Sequence, residues 1–189
     1  MSSHHVIREK QEPALLILGM DNFSDEDLGQ LLEWSPTVMV TPLMAEKLNA
    51  WGIKVDWLIA DEPISEFQSD VKLLSLSGNS PLISALKFLT FNEYPAVNVV
   101  ADELDVDSYL PFADKINLVI FYNNQKIYPV TSGFSKWKPA GETIEILSPS
   151  ADLQTTGLIN VAPNQFTTSH DGLFSLHFSQ PFIFVAENL

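Results

Sequence analysis

The spacing of apolar residues changes near residue 114, and that change is the first guide to the chain's architecture. Upstream of it, short continuous apolar runs alternate with segments of helical period. Residues 14–18 run apolar up to Gly19, the pattern of a strand buried on both faces of a parallel sheet. Ser24 followed by Asp25, Glu26 and Asp27 predicts a helix N-cap with acidic residues in the first turn, where they complement the helix dipole. Leu28, Leu31 and Leu32 mark one face of that helix, and Pro36 limits it. A second strand is expected over 37–40, a helix over 45–51 closed by Gly52, and a third strand over 57–59. A strand over 71–74, a helix over 81–89 opened by Pro81, and a strand over 97–100 continue the alternation. This order predicts an N-terminal α/β domain, residues 1–113, with a mainly parallel doubly wound sheet.

Helical spacing stops after that point. Residues 116–122 and 126–130 flank Asn123-Asn124-Gln125, a hairpin-turn composition, and strand-like runs follow at 143–147, 173–178 and 182–185. Residues 114–189 are therefore expected to form a small all-β, sandwich-like domain. A unit of that size needs burial against its neighbour or a second subunit.

Charge narrows the range of partners. Twenty-four acidic residues against ten basic ones give a net charge of −14, so a nucleic-acid backbone would be repelled and no nucleic-acid partner is expected. The chain has no cysteine, which removes disulfides, zinc-thiolate sites and thiol nucleophiles; the cytoplasm is the expected compartment. Residues 1–13 are polar, with His4-His5 read as part of a polar terminus, and no apolar run reaches bilayer length. The expectation is a protein neither exported by a signal peptide nor held in a membrane.

Several segments, taken together, carry a family resemblance. The run Leu48-Asn49-Ala50-Trp51-Gly52-Ile53-Lys54-Val55-Asp56, followed by Leu58-Ile59-Ala60-Asp61, resembles the segment of thiamine pyrophosphokinases that leads into their Gly-Asp-x-Asp-Ser motif. The similarity continues through Tyr94-Pro95-Ala96-Val97-Asn98-Val99-Val100, Lys136-Trp137-Lys138-Pro139-Ala140-Gly141 and Thr155-Thr156-Gly157-Leu158. The opening, from Met1-Ser2-Ser3 through Glu12-Pro13-Ala14-Leu15, is similar to the start of the bacterial form. The resemblance implies an α/β domain, a β-sandwich-like domain, and a homodimer with active sites between subunits. It also implies pyrophosphoryl transfer from ATP to thiamine, with carboxylates holding Mg²⁺ against the triphosphate.

The motifs themselves depart from the family. Thr41-Pro42-Leu43 stands where the family has Asp-Gly and a small residue. In the second motif Ala60 replaces the glycine, Asp61 matches the first aspartate, and Pro63 stands in place of the second, with Glu62 between them. Gly78-Asn79-Ser80-Pro81 aligns with Asp-Lys-Thr-Asp, and Ser108-Tyr109 with an Asp-His pair. Asp61 is thus the one matched catalytic and metal-site carboxylate. Ser169-His170 aligns with a Ser-Asn pair near thiamine, which makes both residues candidates for substrate binding.

The acidic set Asp102, Glu103, Asp105 and Asp107 reads as a solvated loop, with a replacement Mg²⁺ or Ca²⁺ site as the alternative. His170 reads as a rim histidine, or as a general base with Asp171; Trp137 reads as packing, or as a stacking platform. The expected function is a family member impaired in catalysis, with a small-molecule binding or regulatory role. Two alternatives stand beside it: an active kinase using Mg²⁺ and ATP with ligands moved to Glu62 or Asp102, and a structural or partner-binding homodimer.

Overall fold

A computed structural model describes residues 12–62, 68, 70–148 and 150–189. Its elements run β1 (Ala14–Ile17), α1 (Asp25–Leu32), β2 (Val38–Val40), α2 (Pro42–Ala50), β3 (Trp57–Ile59), β4 (Lys72–Leu74), α3 (Pro81–Phe91) and β5 (Ala96–Val100). After two 3-10 turns, Val106–Ser108 and Leu110–Phe112, come β6 (Asn117–Tyr122), β7 (Gln125–Val130), β8 (Phe134–Lys138), β9 (Thr143–Ile146) and β10 (Gln154–Thr156). The chain closes with β11 (Leu158–Ala162), β12 (Gln165–Thr168), β13 (Gly172–His177) and β14 (Ile183–Asn188). Among the described residues no helix is long and apolar enough to cross a membrane.

The helices start where their sequences dictate. Ser24 Oγ accepts from the Asp27 amide at 3.0 Å, as predicted, and Ser80 Oγ accepts from the Ile83 amide at 3.3 Å just before the expected Pro81, so each satisfies an otherwise unpartnered helix donor. α2 begins three residues before the expected 45, at Pro42. Proline at the first helical position loses no hydrogen bond there, a signal the apolar period alone does not carry.

Eleven strands form one sheet in the order β11-β12-β9-β14-β7-β6-β5-β1-β2-β3-β4, and β10-β13-β8 form a second. From β4 to β6 neighbours are parallel; from β6 to β11 they are antiparallel. The expected parallel strands are thus half of a larger mixed sheet, which runs without a break past residue 113.

The change of direction has a local cause. Asn123 and Asn124 both have positive φ, 49° and 62°, the geometry of a two-residue turn whose twist matches a hairpin, and a hairpin can only join antiparallel strands. Gln125, expected in the turn, is the first residue of β7.

Three apolar clusters hold this arrangement. Leu15, Ile17, Val38, Val40 and Leu58 point to the face covered by Leu28 of α1 and by Met44, Ala45 and Leu48 of α2. Their sequence neighbours Leu16, Met39 and Ile59 point to the other face, against Ala85, Leu86 and Leu89 of α3. The swap of face follows from connection handedness: β1 to β3 advance one way across the sheet, whereas the α3 crossover from β4 to β5 goes back beyond β1. The switch point therefore lies between β1 and β5.

The third cluster fills the space between the antiparallel half and the small sheet, with Ile144, Ile146, Ile183 and Val185 facing Phe174 and Leu176. β14 ties the two regions together. Its Ile183 and Val185 enter the sandwich core while Phe184 and Ala186 enter the cluster beneath α3.

Candidate functional site

In an open α/β sheet the crevice for a ligand forms beyond the carboxyl ends of the strands at the switch point. Here that place is the meeting of Gly19, after β1, with Asp102, after β5. Asp102 Oδ1 accepts the Asp21 amide at 2.7 Å, and a methyl group built on Gly19 would lie 2.1 Å from Asp102 Oδ2. The carboxylate therefore rests directly over the Gly19 backbone, as only a residue without Cβ permits. Lys47, reaching from α2, sits 3.4 Å from Asp21 Oδ1.

At the end of β2, Thr41 occupies the N-cap position of α2 without a side-chain cap bond, and Leu43 is exposed beside it. At the end of β3, Ala60 is buried and Asp61 exposed. Asp61 Oδ1 accepts both Ser75 Oγ, at 2.8 Å, and the Leu76 amide, at 2.9 Å. These bonds, led by that from Ser75, stabilise the anion and hold the carboxyl below its ordinary value. Asp61 is thus turned toward the loop after β4. Glu62 is exposed, and Pro63 lies outside the described residues.

The third motif is a helix start. Ser80 caps α3, Ser84 Oγ donates to the Leu76 carbonyl at 2.9 Å, and Lys87 Nζ reaches back to Asn79 Oδ1 at 2.9 Å. A lysine head group thus stands beside the position where the resembled motif carries its own lysine. In the fourth segment Ser108 Oγ donates to Asp105 Oδ2 at 2.6 Å, while Tyr109 is buried among apolar residues, where desolvation pushes its hydroxyl pKa well up.

Strand order limits which of these groups can cooperate. β3 and β5 are three strand spacings apart, about 14 Å along the sheet, beyond the combined reach of two aspartates for one ion. Among the described residues no three of His, Asp and Glu converge in a way that could hold a metal. Asp102 holds the Asp21 amide and Asp105 holds Ser108, so the acidic loop does not gather around a centre.

Ser169 and His170 lie in the loop between β12 and β13. Ser169 Oγ and His170 Nδ1 are 2.7 Å apart. Asp171 turns away, its Oδ1 accepting the Ala140 amide at 2.8 Å, so the sequence neighbours do not form a carboxylate-histidine pair. β12 stands eight strand spacings from β3, about 38 Å along the sheet, and one chain does not bring Ser169 and His170 to Asp61. Trp137 is 59% exposed on the outer face of the small sheet, opposite Leu173 at 62%; it packs into neither core.

Two features escaped the sequence reading. An open polar cleft of about 670 Å³ lies between the loop after β5 and the β6–β7 turn, lined by Leu104, Tyr122, Asn124, Gln125, Glu145 and Asn188 among others. On the opposite face of the same sheet half, Glu187 is only 3% exposed and forms ion pairs with Lys136 and Lys138 while Tyr128 donates to it. Burial is the largest single influence on Glu187 and opposes its charge, but the bonds from Lys136, Lys138 and Tyr128 together outweigh it and hold the pKa below the ordinary value. Alternation of lysines at 136 and 138, and one glutamate after an apolar run, were the available signals.

No protein-family model matches the sequence, and no curated protein matches it. Solved structures do. Thiamin pyrophosphokinase from Geobacillus thermodenitrificans aligns with TM-score 0.68 at 12% identity over 93% of this chain and 97% of its own. The enzyme from Candida albicans aligns with TM-score 0.66 at 13% identity, covering 94% and 89%, and that from Bacillus subtilis with TM-score 0.65 at 11% identity, covering 94% and 99%. The mixed sheet, the antiparallel sandwich and the order of the chain through them thus give this protein the thiamin pyrophosphokinase fold.

Proposed function

We propose that this chain is a thiamin pyrophosphokinase-like protein of the cytoplasm, impaired in pyrophosphoryl transfer, that keeps a small-molecule binding or regulatory role as a homodimer. The observation that carries the reading is the state of Asp61. The one carboxylate matched to the metal motif is engaged by Ser75 and Leu76, and among the described residues no three of His, Asp and Glu gather to hold a metal. Such a donor set does not fit a Mg²⁺ ion clamped against a triphosphate, which calls for several oxygens in near-octahedral array. No step through Mg²⁺ and ATP is therefore assigned to these residues.

The polar cleft beside Tyr122 supports the binding role, with amide groups for orientation and Leu104 and Leu147 as apolar walls. Homodimer formation is favoured by the separation of Asp61 and Ser169-His170, about 38 Å along the sheet: a thiamine-like ligand could touch both regions only if two chains supplied them.

One observation favours a second reading, an active kinase with moved ligands. The Asp102 carboxylate holds the Asp21 amide at the switch point, and Mg²⁺ needs only one or two carboxylates besides substrate oxygens. Chromatographic assay of thiamine diphosphate, with thiamine, ATP and excess Mg²⁺, separates the two. Turnover below about a thousandth of an ordinary ten per second is expected. Near-normal turnover abolished by Asp102→Asn or Asp61→Ala would reverse the order of the readings. Calorimetry with thiamine adds the third arm, since a purely structural dimer would bind neither thiamine nor Mg-ATP.

A further inference from the structure

In a chain of net charge −14, residues 116–189 contain three basic residues, Lys126, Lys136 and Lys138, and the fold brings all three to one place. Lys136 and Lys138, two apart on β8, point the same way, into the gap between the sheets, and both pair with Glu187 of β14. Lys126 stands directly opposite Glu187 in the β14–β7 register, so its side chain leaves the sheet on the same face. Tyr128 is next on that face of β7, its ring 5.1 Å from the Lys136 ammonium and its hydroxyl on Glu187. The other neighbour of Glu187 in register is Ile144, fully buried, which closes the floor with apolar surface.

One carboxylate pairs with two ammonium groups while a third lysine leaves the sheet on the same face, so positive charge exceeds negative charge there. Glu187 is heavily engaged: Oε1 takes Lys136 and Tyr128, and Oε2 takes Lys138. The Lys138 side chain is 19% exposed and that of Lys136 37%, so both are partly withdrawn from water yet reachable. Crowding like charges in a partly desolvated place is unfavourable unless another anion shares it. An ion pair needed only to join the two sheets would be complete with one lysine.

From this we propose that the Lys126, Lys136 and Lys138 cluster is a binding site for a small phosphate-bearing anion. Glu187 orients two of the ammonium groups, and the anion takes up their remaining donors together with Lys126. Phosphate suits the site because lysine binds it as a point charge, and its several oxygens can meet three separate donors at once. The site is distinct from the strand-end crevice, which opens at the other half of the sheet.

The test is calorimetric titration of the full chain with inorganic phosphate and with phenyl phosphate at constant ionic strength. Saturable binding of one equivalent per chain is expected for at least one of them. A preference for the first identifies the free ion as the ligand, and for the second an ester. Lys126→Glu keeps both pairs of Glu187 and is expected to weaken binding about tenfold or more, the scale of one charge-assisted hydrogen bond. Lys126→Gln gives the same readout if that variant does not fold. Lys54→Gln, an exposed lysine paired with Asp56 on the parallel half of the sheet, should change nothing. Absence of binding by either anion, binding undiminished in both Lys126 variants, or equal competition by chloride would overturn the proposal.

Discussion

Replacing Glu187 by glutamine keeps the shape and one acceptor of the side chain while removing its charge, so it isolates what the buried carboxylate contributes. In the native protein that group accepts hydrogen bonds from Lys136, Lys138 and Tyr128. The Tyr128 hydroxyl can still donate to an amide oxygen. Lys136, at 37% exposure, regains much of its hydration, but Lys138, at 19%, is left beside a neutral group. Removing one member of a buried pair costs about 3–5 kcal/mol, and the partial exposure of Lys136 places this case near the lower end, about 3 kcal/mol. Urea unfolding at neutral pH measures it, since guanidinium would screen the charges under test.

The pH dependence supplies the sharper check. The carboxyl is held below its ordinary value of 4.5, so the stabilisation is fully present above that value and is lost as pH falls through the depressed native value. The difference between native protein and Glu187→Gln should be widest at neutral pH and should close in acid. A difference under about 0.5 kcal/mol at neutral pH, or one that persists unchanged in acid, would refute the idea that the ion pairs tie the two sheets together.

Other outcomes follow from the same geometry. Gly157 has φ +73°, and a methyl group there would meet the Leu173 carbonyl oxygen at 2.7 Å, so Gly157→Ala should lower stability by about 2 kcal/mol in the same assay. Asp61→Ala should accelerate hydrogen exchange of the Leu76 amide while leaving thiamine turnover unchanged. In the native protein that amide should lose protection in acid, as the carboxyl, held below its ordinary 3.8, is protonated. Light scattering at micromolar concentration should report twice the 21.1 kDa chain mass, and a monomer would remove the homodimer from the proposed function.

How far the sequence carried the fold depended on the period each element shows. The apolar runs of β1, β3 and β5, the cap at Ser24 and the proline start of α3 were legible because their signals are local. β8, β10, β11 and β12 were not. Phe134-Ser135-Lys136-Trp137-Lys138 alternates correctly, but its inward positions include two lysines that read as solvent-facing until Glu187 is placed among them. β11 carries Ile159 and Val161 exposed and a register shift between Asn160 and Ala162, which breaks the period of two. The continuity of the main sheet was hidden for another reason: a boundary drawn from the end of helical spacing falls between β5 and β6, two strands that pair with each other.

The candidate site was legible in what it lacks, and only the structure shows what took its place. A metal-binding carboxylate must keep its oxygens turned toward the ion and its substrate. Here Asp61 is drawn to Ser75 and Leu76, Ser80 caps α3, Ser108 bonds Asp105, and Asp102 covers Gly19. At these four places a side chain is held by a partner from its own chain, while Thr41 carries no such bond. These bonds make the strand-end loops self-sufficient, so they hold their shape without an ion. That also explains why restoring a single carboxylate, as in Thr41→Asp, would recover little: a clamp acts only as a set.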